Sequence, residues 1–175
     1  MAKCDKLIRM KRHFFHPSAL WLSALLLCVF APAKAGELAL SKGQTLYLPI
    51  YSHIWHGDFE VEGRFPLKSQ VSALVSIRNT SLVTPIKVLS ARYFSTDGKL
   101  LKEYIPSPKS VAQMGTIELF VERKESEGGS GANFIIHWES GTPTNPPIIE
   151  AVHAELKSVH TLSFTTTARE INPEK

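Results

Sequence analysis

The chain predicts an all-β fold, an immunoglobulin-like antiparallel β-sandwich of about eight strands, with a small β-barrel as the alternative. Three observations lead there. Short runs of alternating apolar and polar residues recur after the first 35 residues. Gly, Pro, Asn, Asp and Ser separate those runs. No apolar stripe of helical period lasts longer than two turns. A Cys…Trp…Cys signature is missing, so the sandwich rests on strand number and spacing.

Residues 1–35 read as a secretory signal peptide. Lys3, Lys6, Arg9, Lys11 and Arg12 precede the apolar run Ala19 to Phe30, and Pro32 ends it. Ala33-Lys34-Ala35 is a small-x-small site, which places cleavage after Ala35. A run of twelve residues is short against the roughly 20 needed to span a bilayer. Leu27 before Cys28 is too bulky for a lipidation site. The expected product is residues 36–175, one β-sandwich domain, exported to the periplasm or beyond the cell, with no stable membrane anchor after cleavage.

Cleavage changes the chemistry. The leader holds six of the 20 Lys and Arg and one of the 16 Asp and Glu, leaving 14 and 15, a net charge near −1. No basic footprint for nucleic acid remains. Cys4 and Cys28 both leave with the leader, so disulfides, a Cys nucleophile and Cys-ligated metals leave too.

The strands follow in order. Leu46, Leu48 and Ile50 alternate in Thr45 to Tyr51, and Pro49, which lacks an N–H, assigns that run to an edge or a bulge. Leu67 to Arg78 is the clearest run, with Val71, Ala73, Val75 and Ile77 on one face and Leu74 the exception. In Ile86 to Ser95 the apolar parity switches after Val88, as one bulged residue would cause. Asp97-Gly98 predicts a type I′ hairpin into Lys99 to Ile105, which Pro106 and Pro108 end. Thr116 to Glu122 and Asn133 to Glu139 alternate well. A loop with three prolines spans Gly141 to Pro147, strands follow at Ile148 to Leu156 and Thr161 to Thr166, and a frayed tail begins at Arg169.

Two segments could carry function. In the first, Tyr51 to Asp58, imidazoles His53 and His56 with the Asp58 carboxylate are donor types that could hold a divalent metal, with Glu60 and Glu62 adding oxygens. Trp55 is the natural anchor of a recognition surface. The spacing matches no zinc motif, and the competing reading is a loop whose aromatics pack over the sandwich end. The second is Gly128 to Asn133. It opens a strand, so it lacks the helix dipole of a phosphate cradle and the context of a nucleophile elbow. Ser130 and Asn133 are its candidate binding residues. A Ser130, His53 or His56, and Asp58 triad has composition but no geometry behind it. Asn79-Thr80-Ser81 is a formal glycosylation sequon with nothing to suggest its use.

Gly43-Gln44-Thr45, Tyr51 through Asp58, Ser76-Ile77-Arg78-Asn79-Thr80 and Gly128 through Phe134 occur in one order. Together they resemble the bacterial domain-of-unknown-function family numbered three-one-two-four, over roughly Gly43 to Thr166. The hairpin at Asp97-Gly98 and the run Pro147 to Val152 fit as well. The resemblance implies export and a single small domain, and it assigns no activity to any residue. The reading is therefore a non-catalytic binding or accessory module for an unidentified ligand or protein partner, with no cofactor unless a divalent metal. The alternative is a metal-dependent hydrolase built on His53, His56 and Asp58.

Overall fold

The computed structural model describes residues 39–59, 66–157 and 159–172. The leader with its cleavage point after Ala35, both cysteines, Glu60 and Glu62 lie outside the described residues. Within them every regular element is a strand: β1 (Ser41–Ile50), β2 (His53–His56), β3 (Leu67–Gln70), β4 (Ser72–Arg78), β5 (Ile86–Phe94), β6 (Leu100–Glu103), β7 (Lys109–Val111), β8 (Thr116–Val121), β9 (Ala132–Thr144), β10 (Ile148–Leu156), β11 (Thr161–Thr167) and β12 (Arg169–Glu170).

Two antiparallel sheets face each other. The first runs β12-β1-β9-β5-β6, with β7 also on β5, and the second runs β11-β10-β4-β8. Among the described residues no ladder joins the edges of one sheet to those of the other, so the fold is a sandwich and the barrel alternative falls. Its core is what the alternation predicts. Leu46, Leu48 and Ile50 of β1, Phe134, Ile136 and Trp138 of β9, and Val75 and Ile77 of β4 are all buried in one cluster.

Among the described residues twelve strands stand where about eight are expected. Leu67 to Arg78 divides at Val71 because β3 leaves the second sheet to pair with β2 as a separate ribbon. The residues around His53, read as a loop, are strand β2. β7 follows Pro106 and Pro108 and takes the flank of β5 along Ile86–Val88, while β6 takes Arg92–Phe94. Arg169 and Glu170 pair with Tyr47 and Leu46 rather than fraying. β9 runs on through Gly141 to Thr144 into the segment read as a proline loop.

Local irregularities follow the sequence closely. The β5–β9 register shifts between Val88 and Ser90, where the parity switch requires a bulge. There the side chain of Glu103 takes the Ala91 N–H through Oε1 at 3.1 Å. Pro49 sits beyond the two-residue β12, where that side of β1 has no ladder to interrupt. The Asp97-Gly98 hairpin exists, but its turn differs from type I′. Gly98 N donates to Ser95 O at 2.9 Å and only Gly98 has positive φ, so Thr96 and Asp97 are the central turn residues. This is a three-residue loop with Gly98 as its left-handed third member.

Candidate functional site

The first candidate segment is half of the β2–β3 ribbon. Strand geometry sends successive side chains to opposite faces. His53 and Trp55 therefore share a face, and His56 lies on the other. The His53 ring meets Trp55 edge-on at 5.0 Å, and Lys68 Nζ stands 5.8 Å from the Trp55 ring. Partial burial, helped by the Lys68 ammonium, holds the His53 imidazole below its usual range. His56 is exposed and bonds Ser69 Oγ through Nε2 at 3.2 Å. Asp58 is exposed beyond the strand end. The ribbon thus brings His53 and Trp55 together and parts them from His56. Among the described residues no group of three or more His, Cys, Asp or Glu is arranged to hold a metal ion.

The second candidate segment meets the first through other residues than those anticipated. Ser52 N donates to Gly129 O at 2.9 Å, which ties the chain entering β2 to the Gly-rich loop. Around that contact lies a polar knot. Glu125 Oε2 accepts from Ser52 Oγ at 2.9 Å and from Tyr93 Oη at 2.7 Å. Its Oε1 accepts from Gly128 N at 3.0 Å. The hairpin tip joins as well, since Thr96 N donates to Gly128 O at 2.8 Å and Gly131 N donates to Thr96 Oγ1 at 2.9 Å.

Glycine is dictated at two positions here. Gly129 has a φ of 79°, a conformation that L side chains rarely adopt. At Gly128 a Cβ would collide with the Tyr93 hydroxyl and stand 2.8 Å from Ser52 Oγ. Ser130 is half-buried in this loop. Asn133 is half-buried in β9, in register with Pro49 and Phe94, and so belongs to the sheet.

Glu125 also forms part of the wall of an open cleft of about 590 Å³ on the side where β6 and β8 are the sheet edges. Tyr93, Leu101, Tyr104 and Phe120 supply its apolar surface. The rings are braced, because Tyr93 and Tyr104 each lie 5.1 Å from buried Phe134 and 6.1 Å from each other. Lys102, Lys124, Glu122 and Glu127 bring charge to the rim. Lys124 Nζ is 2.7 Å from Glu122 Oε2, and Lys102 Nζ is 4.2 Å from the Tyr104 ring centre. Burial foremost pushes both tyrosine hydroxyls above their usual range, and the negative charge of Glu125 adds to it.

Sequence reasoning missed this corner. A tyrosine on the inward parity of a strand signals a hydroxyl needing a partner. The partner, Glu125, is 32 residues away, between the runs Thr116 to Glu122 and Asn133 to Glu139. The other strand histidines are structural. His137 accepts from Arg92 through Nε2 at 3.1 Å, so its Nδ1 carries the proton toward Thr45 Oγ1 at 2.9 Å. His153 is fully buried, stacked on Phe164 at 4.6 Å, and accepts from Tyr51 N at 3.1 Å. The sequon Asn79 is buried, with Nδ2 donating to Thr84 O at 2.9 Å and Ala112 O at 3.0 Å.

No curated protein matches the chain. The crystal structure of Thermotoga maritima 1070 superposes with a TM-score of 0.39 at 13% identity, over 72% of this chain and 92% of that one. The family model described as "Protein of unknown function (DUF3124)" matches residues 43–171. That span takes in both ends of the sandwich, the β2–β3 ribbon and the Gly-rich loop, and the chain belongs to this family.

Proposed function

We propose that the protein is an exported, non-catalytic binding module that takes its ligand in the cleft between the β6 and β8 edges. The observation that carries this reading is the braced aromatic cleft beside a carboxylate whose two oxygens are already engaged. A general base must have a lone pair free to take a proton from its substrate. Two hydroxyls and an amide take three of the roughly four lone-pair sites on Glu125, which suits a rigid wall better than a free base. Rigid, pre-formed apolar walls with a few fixed polar groups are what a binding pocket requires. Export rests on the leader sequence, with its basic start, apolar run and Ala33-Lys34-Ala35. The hydrolase alternative gains no support from the ribbon, because His53 and His56 leave opposite faces of one strand.

The test is solvent mapping by NMR on the purified protein, with phenol and 2-propanol as probes. Shifts concentrated at Leu101, Tyr104, Phe120 and residues 122–127 support the cleft. Shifts concentrated at His53 and Trp55 would move binding to the ribbon and overturn this assignment. Export is checked separately by intact mass from an extracytoplasmic fraction, where residues 36–175 are expected and a full-length chain would refute cleavage.

A further inference from the structure

We infer that the cleft selects an alkylammonium group, seated on the Tyr104 ring where the ammonium of Lys102 now stands. This rests on the reading of the cleft as the binding site and adds the chemistry of the ligand. Tyr104 already receives a cation, with Lys102 Nζ 4.2 Å from its ring centre. An aromatic face attracts a cation at that distance through its quadrupole. Lys102 is exposed on the short edge strand β6, so its side chain can leave the ring for water without disturbing the core.

The charges favour the same ligand. Lys124 is neutralised by Glu122 at 2.7 Å. Among the described residues no Lys, Arg or His lies within ion-pair distance of Glu125, whose bonds run to hydroxyls and an amide. Glu127 adds a third carboxylate to the lining. Three carboxylates against two ammonium groups leave the cleft short of one positive charge. Burial first, and then the charges of Glu125 and Glu122, push the Tyr104 hydroxyl above its usual range. Leu101 and Phe120 lie in the same lining, where the methylene stem of an alkylammonium would be buried. A lysine side chain of another polypeptide and a free polyamine both carry this group.

The test compares n-butylammonium, 1-butanol and butyrate in NMR titrations that follow the rings of Tyr104 and Phe120. Butylammonium is expected to shift both rings saturably, more weakly at high salt, and butyrate to leave them in place. Lys102→Met keeps the stem and removes the resident cation. It should tighten butylammonium about two- to fivefold, the worth of one exposed cation–π contact. Glu127→Gln should weaken it. If 1-butanol shifts the rings as strongly as butylammonium, the cleft binds but does not select a cation, and this inference fails while the binding reading stands. If neither probe shifts them, both fail. Unchanged or weaker binding in Lys102→Met also overturns the inference. Spermidine and Nα-acetyl-lysine amide then separate the sources, the tighter of the two naming a polyamine or a protein lysine.

Discussion

The β2–β3 ribbon and the corner around Glu125 lie close along the chain's fold, yet they are built in opposite ways. The ribbon carries the residues that look chemical in the sequence, and it leaves them on two faces of a two-stranded element. His56 and Asp58 are exposed, and Trp55 is 43% exposed. The corner carries residues that look ordinary, and one carboxylate ties the Ser52 and Tyr93 segments to its own loop, which the hairpin tip joins through Gly128. Reactive residue types near one another in sequence are cheap to find. Residues whose every polar atom is satisfied by partners far along the chain mark where the fold has been specified. Substitutions should therefore be costly at the corner and mild on the ribbon.

The largest effect is expected at Gly128. A methyl group there meets the Tyr93 hydroxyl and Ser52 Oγ, both held by Glu125. Relief requires breaking the knot, and Gly128→Ala should cost roughly 3 kcal/mol or more. Urea unfolding measures it, and a loss below about 1 kcal/mol would show that the corner is soft.

The next effect depends on pH and reaches the junction between the two regions. Tyr51 links β1 to β2, and its N–H donates to buried His153. Burial pushes the His153 imidazole down to about 4, with the backbone at Ala151 and Phe164 offsetting part of the shift. In the unfolded chain the imidazole titrates near 6.5. Between those values the unfolded state binds the extra proton, so stability is full above about 6.5 and declines as pH falls toward 4. The total decline is up to about 3 kcal/mol. Protonation also turns the acceptor at Nε2 into a second donor facing Tyr51 N–H. Denaturant midpoints across pH 4 to 7 should slope for the wild type more than for His153→Phe. Parallel curves would remove His153 as the cause.

Glu125→Gln tests the corner more gently. A carboxamide keeps one acceptor oxygen, so either a hydroxyl or the Gly128 N–H then faces an NH₂ group. The expected cost is about 2 kcal/mol, against about 0.5 kcal/mol or less for His56→Gln on the ribbon. Equal costs at both positions would erase the contrast.

Much of the fold is legible in the sequence because a half-buried strand writes its alternation directly. β1, β4, β8 and the first half of β9 lie where apolar parity puts them, and the bulge in β5 shows as a parity switch. β10 is the exception in facing. Its Ile148, Val152 and Leu156 are exposed, while His153 and Glu155 on the opposite parity are buried. Glu155 goes inward because Lys157 Nζ meets it at 2.8 Å, a pairing that hydropathy does not register. Strands β7 and β12 were illegible for a different reason. They are three and two residues long, and what makes them strands is a neighbouring edge. The candidate site was the least legible part. Ser52 and Tyr93 are separated by 41 residues and Tyr93 and Glu125 by 32, and no local pattern encodes a hydrogen bond across such spans.

The last effect, at Trp55, separates two readings of the ribbon. If Trp55 were a packing residue like Trp138, removing it would cost on the order of 4 kcal/mol. Trp138 is 2% exposed in the core and donates from Nε1 to Gln44 Oε1 at 3.2 Å. Trp55 keeps part of its ring in solvent, touching His53 and lying near Lys68 on its own ribbon. Its loss removes roughly half a Trp of buried apolar surface, so Trp55→Ala should cost about 2 kcal/mol. The protein should stay folded at 25 °C, with the Tyr93 and Phe134 ring resonances unmoved. In the chain of residues 36–175, which lacks Trp21, iodide should quench Trp55 fluorescence in the Trp138→Phe background and leave Trp138 unquenched in Trp55→Phe. A loss near that of Trp138→Ala would make the ribbon part of the core after all, and the contrast with the Glu125 corner would disappear.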